Sequence, residues 1–341
     1  KKINVSNYKK LTLMLFSVMM LGCNNQQKQN NAPTPSKPVE KVVIYKSTFD
    51  ENEAYNFVKK QTDFGPRVPG TEAHAKCAEY LENQLDNYCD SAFVQNFKVR
   101  AFDNTVIDGK NIIGVFNPEA VRRVLLCAHW DSRPFADHDP NPDNYFKHID
   151  GANDGASGVG VLLEVARQLS MTKPGIGVDI IFFDVEDYGP DEKSKVNIYG
   201  TTDHLWCLGS QHWARNPHDY DYKAMYGILL DMVGNTAPSF KKEQFSTYYA
   251  PRVVDNIWKL ASDLNYGDYF VDEVGGIVTD DHLPLNEIAN IPTINIIHQN
   301  FESPNGMFFE HWHTVKDNID GIDPATLKIV GDVVLTTIMK E

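Results

Sequence analysis

The chain has 341 residues, with 32 Lys and Arg against 46 Asp and Glu, a formal net charge of −14, and 42% hydrophobic and 11% aromatic residues. That apolar share belongs to a folded chain with a sizeable core, in one large domain or two small ones. The acidity argues against a nucleic-acid binder or a polybasic grip on anionic lipid, and five cysteines without a CxxC pair argue against a disulfide scaffold or a thiolate zinc site.

Lys1, Lys2, Lys9 and Lys10 precede an apolar run from Leu11 to Met20, which Leu21-Gly22-Cys23 closes. A charged start, a short apolar core and a small-residue exit predict a secretory signal over residues 1–22. The run is too short to span a bilayer, which takes about 20 apolar residues. Leu-Gly-Cys resembles a bacterial lipobox, which implies cleavage before Cys23 and a lipid on its thiol; a plain signal peptide with an incidental cysteine is the alternative. Cleavage would remove four lysines and no acids, taking the charge from −14 to −18. Residues 23–45 then form the lipid anchor and a flexible tether, since Asn24 to Glu40 is mostly Asn, Gln, Pro and Lys. The expected location is the bacterial cell envelope, exported and lipid-anchored.

From about residue 50, helices alternate with short apolar strands. Helical spacing over Ala73–Leu85 follows the turn-rich Phe64-Gly65-Pro66-Arg67-Val68-Pro69-Gly70. Strands are predicted at Ile112–Phe116, Val121–Ala128, Val178–Asp184, Tyr226–Met232 and Thr293–Ile297, and further helices at Val159–Leu169, Arg252–Leu264 and Pro324–Met339. Several of the strands are continuous apolar runs, as expected where helices cover both faces. The alternation predicts an α/β sheet, whose sites gather at the carboxyl ends of its strands.

Polar clusters fall at those ends. His129-Trp130-Asp131, Asp184-Val185-Glu186-Asp187 and Asp231 each close a predicted strand, and His311-Trp312-His313 lies in the loop after Thr293–Ile297. Gly151-Ala152-Asn153-Asp154-Gly155-Ala156-Ser157-Gly158 opens a helix between the first two. Singly, each acid has an ordinary reading: Asp154 as a helix cap, Asp184 as a loop acid. Converging carboxylates repel one another, and a dication is the usual means of holding them together. Oxygen ligands with one imidazole suit Zn²⁺, which keeps a position open for catalysis. A Glu beside a ligand can serve as general base, and Glu186-Asp187 has that form.

Phe64 to Gly70, His129-x-Asp131, Gly-Ala-Asn-Asp154, Glu186-Asp187, Asp231 and His313 together resemble the zinc-dependent M28 peptidase superfamily, from about residue 50 to the end. The resemblance implies one zinc-exopeptidase-like domain over residues 46–341, three-layer α/β/α around a mixed, mostly parallel sheet. Two branches compete: two-zinc aminopeptidases, and one-zinc glutaminyl-peptide cyclotransferases that turn N-terminal Gln into pyroglutamate and release ammonia. Thr279-Asp280-Asp281-His282 before Leu283-Pro284, Trp312-His313-Thr314, and Gly209 to Ala214 resemble the cyclase segments. One departure is Glu186-Asp187 where animal cyclases carry Glu-Glu; Asp still ligates through oxygen, with a shorter reach.

Carried over, the resemblance makes Asp154, Asp187 and His313 the zinc ligands and Glu186 the general base and acid. Asp231 and Asp280 would complete the proton network, and Trp312, Phe308 and Trp206 would wall the Gln side chain. Trp312 alone also reads as a partly buried core aromatic. His129, Asp131 and Asp231 would hold a second metal in the aminopeptidase reading, or stand as hydrogen-bond partners behind one zinc in the cyclase reading. The expected partners are peptides or proteins with N-terminal Gln and the membrane through Cys23, with no nucleic acid and a monomeric chain.

Four ordinary readings remain. His138 and His148 lie in a polar loop expected to be solvated near the site mouth, and His298 reads as a satisfied structural histidine. The stretch Tyr188–Trp206 reads as a rim loop. Cys77, Cys89, Cys127 and Cys207 are even in number, which permits disulfides, although Cys127 reads as a buried thiol in a strand.

Overall fold

Along each central strand, neighbouring side chains feed two different cores, and this sorts the molecule into layers. The computed structural model describes residues 45–191, 193, 194 and 205–341, and residues 45–341 form one compact unit. Apart from Tyr45, the expected signal, anchor and tether lie outside the described residues, as does most of the rim loop beyond Asp191.

Two helices come first. Helix α1 (Glu51–Asp63) is capped by the Asp50 carboxylate, and α2 (Glu72–Tyr88) by the Thr71 hydroxyl. The strands are β1 (Ser91–Arg100), β2 (Val106–Phe116), β3 (Arg123–His129), β4 (Gly177–Phe183), β5 (Tyr226–Asp231), β6 (Phe240–Lys242), β7 (Phe270–Val274) and β8 (Thr293–Ile297). The later helices are α3 (Ala156–Thr172), α4 (Leu208–Arg215), α5 (Gln244–Tyr249), α6 (Pro251–Asp263), α7 (His282–Glu287) and α8 (Pro324–Lys340).

The main sheet runs β1-β2-β4-β3-β5-β8. Its β1, β2 and β4 pair antiparallel, while β4, β3, β5 and β8 pair parallel. Leu126, Ala128, Ile180, Phe182, Ile228 and Leu230 point to one core, filled from α1, α2, α3 and α8. Leu125, Cys127, Ile181, Phe183 and Leu229 point to the other, against Trp213 of α4 and Leu285 of α7. The expected three-layer fold with a mixed, mostly parallel sheet is what forms, because period-2 alternation gives each helical layer its own apolar face. Strands β4 and β5 flank β3 on opposite sides, and α3 and α4 cover opposite faces. The connections therefore diverge at the carboxyl end of β3, which opens the crevice where α/β sheets place their sites.

The boundaries differ from the sequence reading where the backbone turns. Val121 is 96% exposed and Arg122 pairs with Glu341 at 2.7 Å, so β3 starts at Arg123. Val185 and Met232 adopt φ of +56° and +50°, which ends β4 at Phe183 and β5 at Asp231. Helix α1 and the edge strand β1 were not foreseen, since β1 buries little beyond Phe97 and lacks an apolar run.

Gly158 shows how closely α3 packs on the sheet: a Cβ there would stand 2.3 Å from the Leu230 carbonyl oxygen. Alanine would gain about 1 kcal/mol of helix propensity, but the strand backbone cannot yield as a side chain would, and overpacking costs about 1–3 kcal/mol. Gly158→Ala is expected to destabilise the fold by about 1–2 kcal/mol, read as a lower urea midpoint with an unchanged slope.

Candidate active site

The site is assembled from four chain turns at the carboxyl end of the sheet. His129 is the last residue of β3, and Asp131, just beyond it, is fully buried. The Asp131 carboxylate accepts the backbone N–H groups of Glu186 and Asp187 at 3.1 and 3.2 Å. It thus holds the chain after β4 in its sharp turn, where Val185 takes a left-handed backbone that a β-branched residue rarely adopts.

The loop before α3 carries Asp154. Arg67, fully buried, donates to the carbonyls of Trp130 at 2.9 Å and Gly151 at 2.7 Å and also to that of Asp150. The turn-rich segment around Arg67 thereby ties the β3 end to this loop. From the other side the Asp317 carboxylate accepts the N–H groups of Asn153 and Asp154 at 2.8 and 3.0 Å. Gly155 has φ +95°, and a Cβ on it would meet the Asp131 carbonyl at 2.7 Å and the His129 ring at 2.9 Å, so glycine is required here.

Asp154, Asp187 and His313 converge. His313 Nε2 lies 3.3 Å from Asp187 Oδ1 and 3.8 Å from Asp154 Oδ2, and one ligand atom from each residue lies within 4.8 Å of the others. Asp187 Oδ2 is buried with no hydrogen-bond partner. Two carboxylates, an imidazole and an orphaned oxygen make a donor set that fits a divalent ion such as Zn²⁺. A second group shares Asp154: His129 Nε2 lies 3.0 Å from Asp154 and 3.2 Å from Asp231.

Burial pushes the Glu186, Asp187 and Asp280 carboxyls up, and Asp231 up to about 8. Burial would also raise Asp154 and lower His129, but their mutual hydrogen bond and charge outweigh it in both, with Asp131 and Asp231 adding to the effect on His129. The pocket thus disfavours its own negative charge, the condition a bound cation relieves.

Two further groups sit beside the triad. Glu186 is 9% exposed, and its Oε1 lies 3.2 Å from the Cys207 thiol. The buried Asp280 accepts from Asn295 Nδ2 and from its neighbour's N–H, both at 2.6 Å. A cavity of about 530 Å³ opens over His313, walled by Trp206, Phe308 and Trp312. Trp312 stacks on the His313 ring at 3.7 Å and meets Phe308 at 4.6 Å, and Trp206 lies over the Arg133 guanidinium at 4.7 Å.

Comparison with known proteins agrees with this geometry. The model of peptidase family M28 matches residues 111–338. The chain belongs to peptidase family M28. Among M28 relatives and related proteins, the bovine glutaminyl-peptide cyclotransferase is 28% identical over 64% of this chain and 62% of its own length, so this chain spans under two thirds of that protein. The Drosophila melanogaster glutaminyl-peptide cyclotransferase is 28% identical over 76% of this chain and 73% of its own. A zinc-dependent exopeptidase from Parabacteroides distasonis superimposes with TM-score 0.83 at 49% identity, over 86% of this chain and 99% of its own. Glutaminyl cyclase from Bacteroides thetaiotaomicron, bound to N-acetylhistamine, gives 0.82 at 46% identity, over 86% and 99%. A leucine aminopeptidase precursor from the same species gives 0.82 at 46%, over 88% and 100%.

Within this M28 site the structure brings together Asp154, Asp187 and His313, then Glu186 with Asp280, then His129 with Asp231, and it lines the cavity with Trp206, Phe308 and Trp312. Asp131 stands behind them on backbone N–H groups. Asp184 lies apart as the loop-acid reading had it, paired with His74 at 2.9 Å.

Two ordinary readings are corrected. His138 is not a solvated loop residue: it is half-buried against Trp312 at 4.3 Å and lines the cavity. His298 is buried, but its Nδ1 has no hydrogen-bond partner. Cys77, Cys89, Cys127 and Cys207 are all free thiols, and Cys127 is buried in β3 as expected. The sequence reading also missed Arg133 and Asp137. Arg133 donates to the Asp187 carbonyl at 2.9 Å and to Asp137 at 3.0 and 2.7 Å. Asp137 Oδ1 in turn lies 3.2 Å from His313 Nδ1. The spacing of four between Arg133 and Asp137 was a usable signal, masked by the polar run that follows.

A carboxylate on the far nitrogen of a metal-binding histidine fixes its tautomer and ring direction. Asp137→Asn is expected to weaken zinc binding about 10–100-fold, read by competition with a chromogenic chelator, with the folded far-ultraviolet spectrum retained.

Proposed function

We propose that this chain cyclises the N-terminal glutamine of peptides and proteins to pyroglutamate, releasing ammonia. The observation that carries the reading is the Asp154, Asp187 and His313 triad, whose His313 lines a cavity walled by Trp206, Phe308 and Trp312, with Glu186 buried next to Asp187 in the chain and grouped with Cys207 and Asp280. The resemblance to glutaminyl cyclases from bovine to Bacteroides supports it.

The reaction joins the α-amine nitrogen to the γ-carboxamide carbon and breaks that carbon's bond to its nitrogen. Zinc held by Asp154, Asp187 and His313, one per chain, would supply Lewis-acid polarisation of the γ-carbonyl. Glu186 takes the proton from the attacking amine and delivers one to the departing amide nitrogen. Burial favours its protonated form, so a proton taken from the amine would be held there until the departing nitrogen accepts it. Asp280 and Asp231 hold protons and hydrogen bonds around it. Attack within one molecule needs orientation more than an activated water. The aromatic wall serves that need by confining the short Gln side chain and excluding water.

A second reading, a two-zinc aminopeptidase, is favoured by one observation: His129 and Asp231 converge with Asp154 as a second ligand group. Metal content separates the two, near one zinc per chain for the cyclase and near two for the peptidase. Export and anchoring through a lipid on Cys23, on a monomeric chain at the bacterial envelope, complete the proposal.

Glu186→Gln is expected to lower kcat about 10²–10⁴-fold on a Gln-peptide, read as ammonia release, with the zinc content unchanged. Full activity in that variant would remove Glu186 from the proton path. Chelation should abolish ammonia release, and added zinc should restore it.

A further inference from the structure

A second cavity, of about 300 Å³, adjoins the reaction centre and has no part in the chemistry above. Trp206 borders both cavities. The second one is lined by Cys207 and Asp280, by the apolar Phe245, Leu283 and Ile288, and by the polar Gln211 and Thr279. Cys207 touches Glu186 at 3.2 Å, and Glu186, Cys207 and Asp280 offer polar atoms within 4.8 Å of one another. The apolar hollow therefore begins where the proton-transfer carboxylate ends.

The covalent structure of the substrate fixes what reaches this hollow. The γ-carboxamide points toward Asp154, Asp187 and His313, while the α-amine must reach Glu186. The α-carbon bears that amine and also the carbonyl that leads to the second residue. Residue two thus leaves on the Glu186 and Asp280 side, away from the metal ligands. We propose that the Phe245–Leu283–Ile288 hollow is the subsite for the residue that follows the N-terminal glutamine, and that it takes an apolar side chain. The proposal rests on the cyclisation reading.

Size and charge agree. The volume lies at the small end for ligand pockets and has room for a Leu or Phe side chain. Glu287 and Asp280 line the hollow and no basic residue does, so nothing there would pair with an acidic second residue.

The test measures ammonia release from Gln-Leu, Gln-Phe, Gln-Gly and Gln-Glu peptides that share one remainder. The expected kcat/KM order is Leu and Phe above Gly above Glu, with Gln-Leu about tenfold over Gln-Gly. Leu283→Asp and, as a milder change, Ile288→Ala should both bring the Gln-Leu to Gln-Gly ratio toward one. Equal ammonia release from all four peptides would overturn the subsite and leave cyclisation standing. Free glutamine without ammonia from every peptide would overturn cyclisation, and the subsite with it.

Discussion

Six carboxylates, on Asp131, Asp154, Glu186, Asp187, Asp231 and Asp280, are buried together at one end of the sheet, and the site depends on how their charge is held. Like charges in low dielectric disfavour each other's ionised forms. The chain answers in three ways. Asp131 spends its charge on backbone N–H groups, which are preorganised donors. Arg133 sets a permanent cation against Asp187 and Asp137. His129 and His313 lie between the remaining acids as bases or ligands. What is left, Asp154 with Asp187 and its orphaned oxygen, is the charge a dication would balance.

Seen this way, the left-handed residues are part of the same constraint. Val185, Met232 and His313 take positive φ immediately before, after or at a site residue, and Cys207 does so against Glu186. Each costs of order 1–3 kcal/mol and persists where the surroundings over-determine it. Here the surroundings are identifiable. The Asp131 carboxylate pins the turn at Val185, and the Cys207 and Leu208 N–H groups return to the Glu186 and Val185 carbonyls at 3.0 Å. The strain turns successive acids, Glu186 and Asp187, toward different neighbours: one to the thiol and Asp280, the other to His313.

How much of this was legible in the sequence follows from which residues are close along the chain. Strands β2, β3, β4, β5 and β8 announced themselves as apolar runs, and the acids at their ends marked the crevice, because strand order and residue order both lead there. The edge strand β1, half-exposed, had no such run. Asp137, His138 and Arg133 were hidden inside a polar loop, since only packing beneath Trp312 and Trp206 tells a buried loop acid from a solvated one. Asp317 was illegible for a related reason: its carboxylate serves backbone N–H groups 163 and 164 positions away. Ligands leave a trace of residue type; the groups that hold ligands mostly do not.

The same ligand set can serve two chemistries, and what separates them is the treatment of water. A peptidase must admit and activate a water molecule, whereas a cyclase must keep water away from a carbonyl already polarised for attack. Trp312 stacks on the ring of His313 and is backed by Phe308 and His138, so aromatic surface covers the approach to that residue. Trp206 closes the opposite wall, and Gly189 permits it: a Cβ there would strike the indole at 2.1 Å. A small residue under one aromatic and a stacked imidazole under another let two indoles wall the cavity. Burial raises the cost of charge on Glu186 and so favours its protonated form. In the proposed cyclisation the aromatic wall and the glutamate would act together, and the three candidate metal ligands by themselves do not separate that reaction from peptide hydrolysis.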